Sequence, residues 1–282
     1  MKLLVTGAAG MLGRDVMLAA GNAGHEIAGF GRAELDVTNP EALRRRMELE
    51  RPDVVLNCAA WTDVDGAEEA EEAAFAVNGA GAGNVAAAAA EVEARVVHVS
   101  TDYVFDGAKR EPYVESDQPA PLGAYGRTKL AGEEAVAAAN KRHFIVRSAG
   151  LFGVGGKNFV ETMLRLAETH NEVTVVRDQI GSPTYTWHLA YGLVRLIEGV
   201  EYGIHHMAAA GRCSWYEFAR EIFEQAKVEC GVLSITSAEF GALAPRPSFS
   251  ALTSQREHAI RLPSWHDGLA GYLAQREAEE AA

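Results

Sequence analysis

The sequence has few cysteines, and their number and spacing exclude a disulfide framework. Only three are present, Cys58, Cys213 and Cys230, and they lie far apart in a chain of 282 residues. An odd number of widely spaced cysteines fits a reducing compartment, so we expect a cytoplasmic protein. Met1 leads directly into a predicted strand, and we expect no targeting segment ahead of it.

Long apolar runs and positive charge are also scarce. No long apolar run is present that would predict a membrane span, and 26 lysines and arginines face 39 aspartates and glutamates, a formal net charge of −13. This charge argues against a nucleic acid or an anionic membrane as a partner, so an anionic substrate must be met by locally placed arginines. The adjacent His205 and His206 lack a metal-ligand spacing, and we expect no metal site.

Apolar strands alternate with alanine-rich or acidic helices along the first half of the chain. Residues 54–58 and 95–100 read as strands, whereas 67–76 and 85–93 read as helices. This alternation predicts an α/β fold with a doubly wound parallel sheet. We expect a sheet domain over 1–149 and a smaller C-terminal α/β lobe over 150–282, with a return to the sheet at about 174–200. Within the acidic helix, a charge run predicts a solvated face: Glu68, Glu69, Glu71 and Glu72.

Three glycines punctuate the turn that follows the first predicted strand: Gly7, Gly10 and Gly13. In a strand-turn-helix unit, such glycines let a pyrophosphate approach the backbone N–H groups at the start of the helix. The spacing is Gly-x-x-Gly-x-x-Gly, a variant of the usual dinucleotide turn, and a glycine-rich turn without a ligand is the alternative.

The second predicted strand, 25–30, is followed by Arg32 where an NAD-selective site would usually carry an acidic side chain. An arginine there suits the 2′-phosphate of NADPH, although NADH is possible and Arg32 could be an ordinary loop residue. Asp36, followed by Val37, is placed either to accept a hydrogen bond from an adenine amino group or to close the turn.

Tyr125 and Lys129 lie four residues apart at the start of an alanine-rich helix, and therefore on one face of it. A nearby ammonium favours the phenolate, so we expect the pKa of Tyr125 to fall below its usual ~10. Thr101 follows the strand 95–100, and a hydroxyl at that position can polarise a carbonyl. Together these residues indicate a site that moves a proton beside a bound nucleotide.

These motifs together resemble the extended short-chain dehydrogenase/reductase family over nearly the whole chain. The resemblance rests on segments that occur in the family's order: 7–13, 57–60, 100–107, 125–129, 158–163 and 178–184. It implies a Rossmann-type sheet, a nucleotide-diphosphate sugar as substrate and a homodimer. The implied reaction is NADPH-dependent reduction of the C4 ketone of dTDP-4-dehydro-6-deoxy-L-mannose to dTDP-L-rhamnose.

The resemblance also implies roles for individual residues. Thr101 would hydrogen-bond the sugar carbonyl, and Asp102 would join it in holding the sugar. Tyr125 would protonate the new alkoxide, and Lys129 would hold the nicotinamide ribose. Arg246, in the segment 244–248, would meet the diphosphate, unless it is a surface arginine in a Pro-rich turn. The predicted cofactor contacts are Gly7, Gly10, Met11, Leu12, Gly13, Arg32, Asp36, Val37, Ala59, Ala60, Trp61, Thr62, Tyr125 and Lys129.

Other activities within the fold stay open. Tyr103 stands where nucleotide-sugar dehydratases carry a glutamate, which favours simple reduction over elimination. A nucleotide-sugar 4-epimerase uses the same Thr, Tyr and Lys, as does a reductase of another keto-sugar. An NADP-binding regulatory subunit, of the methionine adenosyltransferase type, needs no intact catalytic set.

One position departs from the resemblance. Where the reductase pattern usually has a tryptophan against the sugar ring, this sequence has Gly150. Loss of stacking would cost on the order of 1 kcal/mol if nothing replaces it. Trp61 and Trp187 are possible replacements, and either could instead be a partly buried core aromatic.

Overall fold

The computed structural model describes residues 1–281. Its strands are β1 (Lys2–Thr6), β2 (Glu26–Phe30), β3 (Val54–Asn57), β4 (Arg95–Thr101), β5 (His143–Ser148), β6 (Leu151–Phe152), β7 (Glu172–Val176), β8 (Ile180–Gly181), β9 (Thr184–Tyr185), β10 (Gly203–His206), β11 (Cys213–Ser214) and β12 (Gly231–Ile235). Its helices are α1 (Met11–Asn22), α2 (Pro40–Glu50), α3 (Val64–Glu69), α4 (Glu71–Phe75), α5 (Ala82–Glu91), α6 (Ala124–Ala139), α7 (Phe159–Ala167), α8 (Thr186–Leu196), α9 (Trp215–Ala226), α10 (Ser237–Phe240) and α11 (Trp265–Glu280).

Six strands form one parallel sheet in the order β10-β5-β4-β3-β1-β2. Alternate residues of its strands face opposite layers: Leu3 and Val5 pack with α1 and α8, whereas Leu4 packs with α2 and α5. The predicted doubly wound α/β fold is therefore confirmed. Because β2 and β3 lie on opposite sides of β1, the winding reverses there, and a crevice opens at the carboxyl ends of β1 and β3.

The chain crosses between the sheet and the lobe more than once after residue 150. The segment 174–200 was expected to return to the sheet. Its first part, in β7, instead pairs with β12 in the lobe, whereas α8 packs on α1 of the sheet domain. The last sheet strand, β10, comes later and pairs with β5. The lobe has its own aromatic core, in which Phe152, Phe218 and Tyr272 are buried.

The acidic segment predicted as one solvated helix is divided into α3, α4 and a π-helical turn, Ala76–Gly81. The prediction of a solvated face was wrong at Glu68, which is partly buried, whereas Glu71 is exposed as expected. Glu68 accepts a hydrogen bond from the backbone N–H of Ala124 at 2.6 Å, and Glu71 pairs with Arg127 at 2.8 Å. Both partners lie on α6, so these carboxylates hold the start of the helix that carries Tyr125.

Within residues 1–281, no helix combines the length and apolar character needed to cross a membrane.

Candidate active site

The turn between β1 and α1 packs directly against the chain leaving β3. Gly7 has a φ of +66°, and a Cβ built on it would lie 2.6 Å from the backbone nitrogen of Ala59. A Cβ on Gly13 would overlap the carbonyl oxygen of Gly7. Gly7 and Gly13 are thus required because neighbouring backbone atoms leave no room for a Cβ. Without side chains at these positions, the first turn of α1 stays open to the crevice.

The N-terminus of α1 is free to receive an anion. Gly10 is the N-cap residue and supplies no side-chain hydrogen bond to the first turn, and that turn contains no acidic side chain. The backbone N–H groups of Met11, Leu12 and Gly13 therefore have no intrahelical acceptor and face the crevice. This arrangement fits the pyrophosphate of a dinucleotide.

A cleft of about 770 Å³ follows the carboxyl edge of the sheet from this turn. It is lined by every predicted cofactor contact: Gly7, Gly10, Met11, Leu12, Gly13, Arg32, Asp36, Val37, Ala59, Ala60, Trp61, Thr62, Tyr125 and Lys129. Gly155, Gly156 and Lys157 line it as well, although the sequence analysis missed them. A Cβ on Gly156 would overlap the Met11 side chain, so this lobe segment lies directly over the turn.

Asp36 and Arg32 lie at the far end of the cleft. The carboxylate of Asp36 accepts hydrogen bonds from the backbone N–H and the hydroxyl of Thr38, both at 2.9 Å, so it closes the turn. The backbone hydrogen bond is also the main reason why its pKa is lowered. Arg32 is exposed on the cleft and makes no ion pair within residues 1–281, so its guanidinium is available to a phosphate.

Burial dominates the protonation of Tyr125 and Lys129. It raises the pKa of Tyr125 to about 12, partly opposed by a hydrogen bond with Thr101, and it lowers the pKa of Lys129 to about 8. The expected fall in the pKa of Tyr125 was therefore wrong for this structure. The ammonium of Lys129 donates to the carbonyl oxygen of Val99 at 2.6 Å and is not directed at the phenol.

Thr101 and Asp102 line a second, smaller cavity. The Thr101 hydroxyl donates to Asp102 at 3.1 Å and accepts from the backbone N–H of Tyr103 at 3.2 Å. Asp102 is buried, which raises its pKa to about 6, while a hydrogen bond with Ser250 acts in the opposite direction. A sugar carbonyl would replace Asp102 as the acceptor of the Thr101 proton.

The smaller cavity, of about 160 Å³, lies between the sheet domain and the lobe. Thr101, Asp102 and Tyr103 line it from the sheet side. Its lobe wall consists of residues from several segments: Gly150, Gln179, Ile180, Gly181, Ser182, Pro183, Cys213, Trp215, Pro247 and Ser250. Thr101, Tyr125 and Gly150 line both cavities, so the two meet at the predicted catalytic residues.

The other predicted substrate residue, Arg246, is committed to a protein partner. Its guanidinium forms two hydrogen bonds to Asp65, at 2.8 and 3.2 Å, and neither cavity is lined by it. The sequence did not reveal this pairing, because 181 positions separate the two residues. Its contact with a diphosphate stays a prediction that would require the ion pair to open or be shared.

Neither tryptophan suggested as a replacement at position 150 lines the smaller cavity. Trp61 lines the larger cleft and donates its indole N–H to the carbonyl oxygen of Asp63 at 2.9 Å. Trp187 packs on the lobe core. Trp215 is the tryptophan in the cavity wall, and it was not singled out from the sequence.

Comparison with known proteins gives a consistent result. The model of the family described as "RmlD substrate binding domain" matches residues 1–278. A dTDP-4-dehydrorhamnose reductase of Mycobacterium tuberculosis is 44% identical over 97% of this chain and 92% of its own length. A dTDP-4-keto-6-deoxy-D-glucose reductase of Streptomyces niveus is 42% identical over 88% of this chain and 87% of its own length. The solved dTDP-4-dehydrorhamnose reductase of Bacillus anthracis, in complex with NADP, superimposes with a TM-score of 0.95 at 39% identity, covering 97% of this chain and 99% of that one.

Proposed function

Because the chain belongs to the RmlD substrate-binding-domain family, within the extended short-chain dehydrogenases/reductases, we propose that it is an NADPH-dependent dTDP-4-dehydrorhamnose reductase. It reduces the C4 ketone of dTDP-4-dehydro-6-deoxy-L-mannose and forms dTDP-L-rhamnose. The family membership agrees with the resemblance seen in the sequence motifs.

The junction of the two cavities is the observation that carries this proposal. Thr101 and Tyr125 line both the dinucleotide cleft and the smaller cavity, so a ketone in one can meet a reduced ring in the other. NADPH, when bound, supplies the hydride that adds to the ketone carbon. Bringing the two reactants together at fixed hydroxyl groups removes much of the entropic cost of the reaction.

Tyr125 is in the protonation state that reduction requires. With its pKa raised to about 12, the phenol is protonated at neutral pH. An alkoxide is a stronger base than a phenolate, so transfer of the phenol proton to the new O4 alkoxide is favourable. Thr101 stabilises the same oxygen through its hydroxyl, and Lys129, protonated below a pKa of about 8, supplies a positive charge beneath the site.

The residues around Asp102 favour reduction over elimination. Tyr103, not a carboxylate, occupies the next position, and its ring packs edge-to-face on Tyr125 with the centroids 5.8 Å apart. A dehydratase would need a base there to remove a carbon-bound proton. An epimerase would retain its cofactor through the cycle and consume none, which distinguishes it from the proposed reductase.

The assembly and the location follow as further parts of the proposal. All three cysteines are free, which supports a reducing compartment such as the cytoplasm. A homodimer is the assembly that the family resemblance implies, and equilibrium sedimentation of the full chain tests it.

The test is the oxidation of NADPH with dTDP-4-dehydro-6-deoxy-L-mannose generated in place, followed by loss of NADPH absorbance. We expect turnover by the wild type and a loss of 10²–10⁴-fold in Tyr125→Phe, with NADPH binding retained. Tyr191→Phe, at an exposed position outside both cavities, is the matched control. A Tyr125→Phe enzyme that reduces the sugar at the normal rate would overturn the role of this residue.

The Streptomyces relative makes the stereochemistry a specific alternative. The same assay is therefore run with dTDP-4-keto-6-deoxy-D-glucose, the keto-sugar in that protein's name. Higher kcat/KM with this D-sugar would assign the chain to that second activity.

A further inference from the structure

We propose that Trp215 is the aromatic wall on which the deoxy-sugar ring packs, and that Gly150 keeps the space beside its indole ring open. This inference rests on the proposed function and specifies how its sugar site is built. It assigns the specificity-determining apolar contact to a lobe residue that arrives 65 positions after Gly150 in the sequence.

Gly150 and Trp215 are neighbours across the smaller cavity. A Cβ built on Gly150 would lie 3.4 Å from Cη2 of Trp215 and 3.2 Å from Cα of Pro183. A side chain at position 150 would therefore crowd the outer edge of the indole, at Cη2, and the backbone of Pro183. Gly150 also has a φ of +53°, a conformation in which a side chain is strained.

The wall and the reacting groups line the same cavity. Thr101, Asp102 and Tyr125 provide the hydroxyl and carboxyl groups, whereas Pro183 and Trp215 provide an apolar surface. Sugars bind through this combination, since hydroxyl groups need polar partners and the C–H face of the ring needs an apolar one. The methyl group of a 6-deoxy sugar adds to the apolar side.

Trp215 is held firmly enough to act as a wall. It is the first residue of α9, whose N-terminus is closed by a capping box between Ser214 and Glu217. Its backbone N–H donates to the carbonyl oxygen of Gln179 at 3.3 Å, which ties it to the cavity segment 179–183. Its ring packs against Phe159 with the centroids 4.6 Å apart. The indole is consequently positioned before any sugar binds.

Removing the Trp215 side chain should weaken binding of the keto-sugar and leave binding of NADPH unchanged. We expect Trp215→Ala to raise the KM for the keto-sugar by on the order of tenfold, with Trp215→Phe intermediate. The Kd for NADPH should stay within about twofold, because Trp215 does not line the dinucleotide cleft. Trp187→Phe is the matched control, since Trp187 lies on the lobe core and lines neither cavity.

A binding measurement separates this inference from the proposed function. Intrinsic tryptophan fluorescence is titrated with dTDP-L-rhamnose and, separately, with dTDP. We expect dTDP-L-rhamnose to change the emission beyond the effect of dTDP in the wild type and in Trp187→Phe, and this extra change to vanish in Trp215→Phe. Absence of keto-sugar reduction by the wild type would overturn the reductase assignment. If Trp215→Phe keeps both the wild-type KM for the keto-sugar and the extra fluorescence change with dTDP-L-rhamnose, the proposal that Trp215 forms the wall is overturned.

Discussion

The guanidinium of Arg147 on β5 lies 2.6 Å from the carboxylate of Glu133 on α6, and both side chains are almost fully buried. Glu133 also accepts a hydrogen bond from the Ser100 hydroxyl at 2.5 Å, and the guanidinium lies over the Phe105 ring. This cluster connects β4, β5 and α6 next to the segments that carry Thr101 and Lys129. It therefore fixes the distance between β4, which carries Thr101, and α6, which carries Tyr125 and Lys129.

Glu133→Gln should strongly destabilise the protein, because it leaves the Arg147 charge buried without its partner. We expect a loss of about 3–5 kcal/mol in the free energy of unfolding, measured by urea denaturation. The control is Glu71→Gln, which removes the carboxylate from a half-exposed pair with Arg127 and should cost less than about 1 kcal/mol. Equal effects of the two substitutions would contradict the structural importance of the buried pair.

The pKa of Asp102, raised to about 6 by burial, predicts an acidic limb in the pH profile. Since the carboxylate is proposed to hold the sugar, kcat/KM should fall about tenfold per pH unit below about pH 6. Asp102→Asn should have lower activity and lack this limb. An acidic limb retained in the variant would assign it to another group.

The same group links pH to stability. The native state keeps the Asp102 proton up to a pH of about 6, whereas the unfolded chain releases it near the ordinary pKa of 3.8. At Asp102 the native state therefore binds more protons between these two values, so the contribution of this residue to stability should fall as pH rises through this window. Urea denaturation at several pH values should show that the wild type loses stability relative to Asp102→Asn over the same range.

Arg32 should determine the preference for NADPH over NADH. Its exposed guanidinium lines the cleft and suits a 2′-phosphate, so Arg32→Ala should raise the KM for NADPH by about tenfold and leave that for NADH almost unchanged. Arg45→Ala, on the exposed surface of α2, is the matched control. Parallel changes with both cofactors would exclude recognition of the 2′-phosphate by Arg32.

Lys157 extends the cofactor site into the lobe. It lines the cleft next to Gly156, which packs on Met11, so its ammonium can reach an anion held at the start of α1. We expect Lys157→Ala to weaken NADPH binding by about three- to tenfold, less so at high salt. Lys141→Ala, exposed beyond the end of α6, should leave binding unchanged. Calorimetric titration with NADPH distinguishes the two.

The parts of this architecture that depend on local patterns could be predicted from the sequence. The glycine turn requires Gly7 because it meets the chain that leaves the adjacent strand β3, and Gly13 because it meets the backbone of the turn itself. Strand alternation in the sequence shows where β1 and β3 lie. Tyr125 and Lys129 share a helix, so their proximity follows from spacing alone. Their protonation could not be predicted, because it depends on burial by segments distant in the chain.

Contacts between distant segments were the ones missed. Trp215 meets Gly150, and Arg246 meets Asp65, only after the lobe has folded against the sheet domain. Glu68 belongs to a charge run typical of a solvated helix, yet it holds the N-terminus of α6. Periodicity describes one element at a time, and such pairings depend on how two elements meet.

The strand β10 joins the sheet only after several segments of the lobe have passed in the sequence. The sheet domain and the lobe therefore cannot be separated by one cut in the chain. A fragment ending at residue 149 would leave the edge of β5 unpaired and the apolar side of α1 without α8, inviting self-association. A chimera of two related enzymes therefore cannot exchange the substrate lobe by joining the two sequences at one point after residue 149. It would have to replace internal segments while preserving α8 and β10, so specificity in this fold is expected to diverge through point substitutions such as the one at position 150.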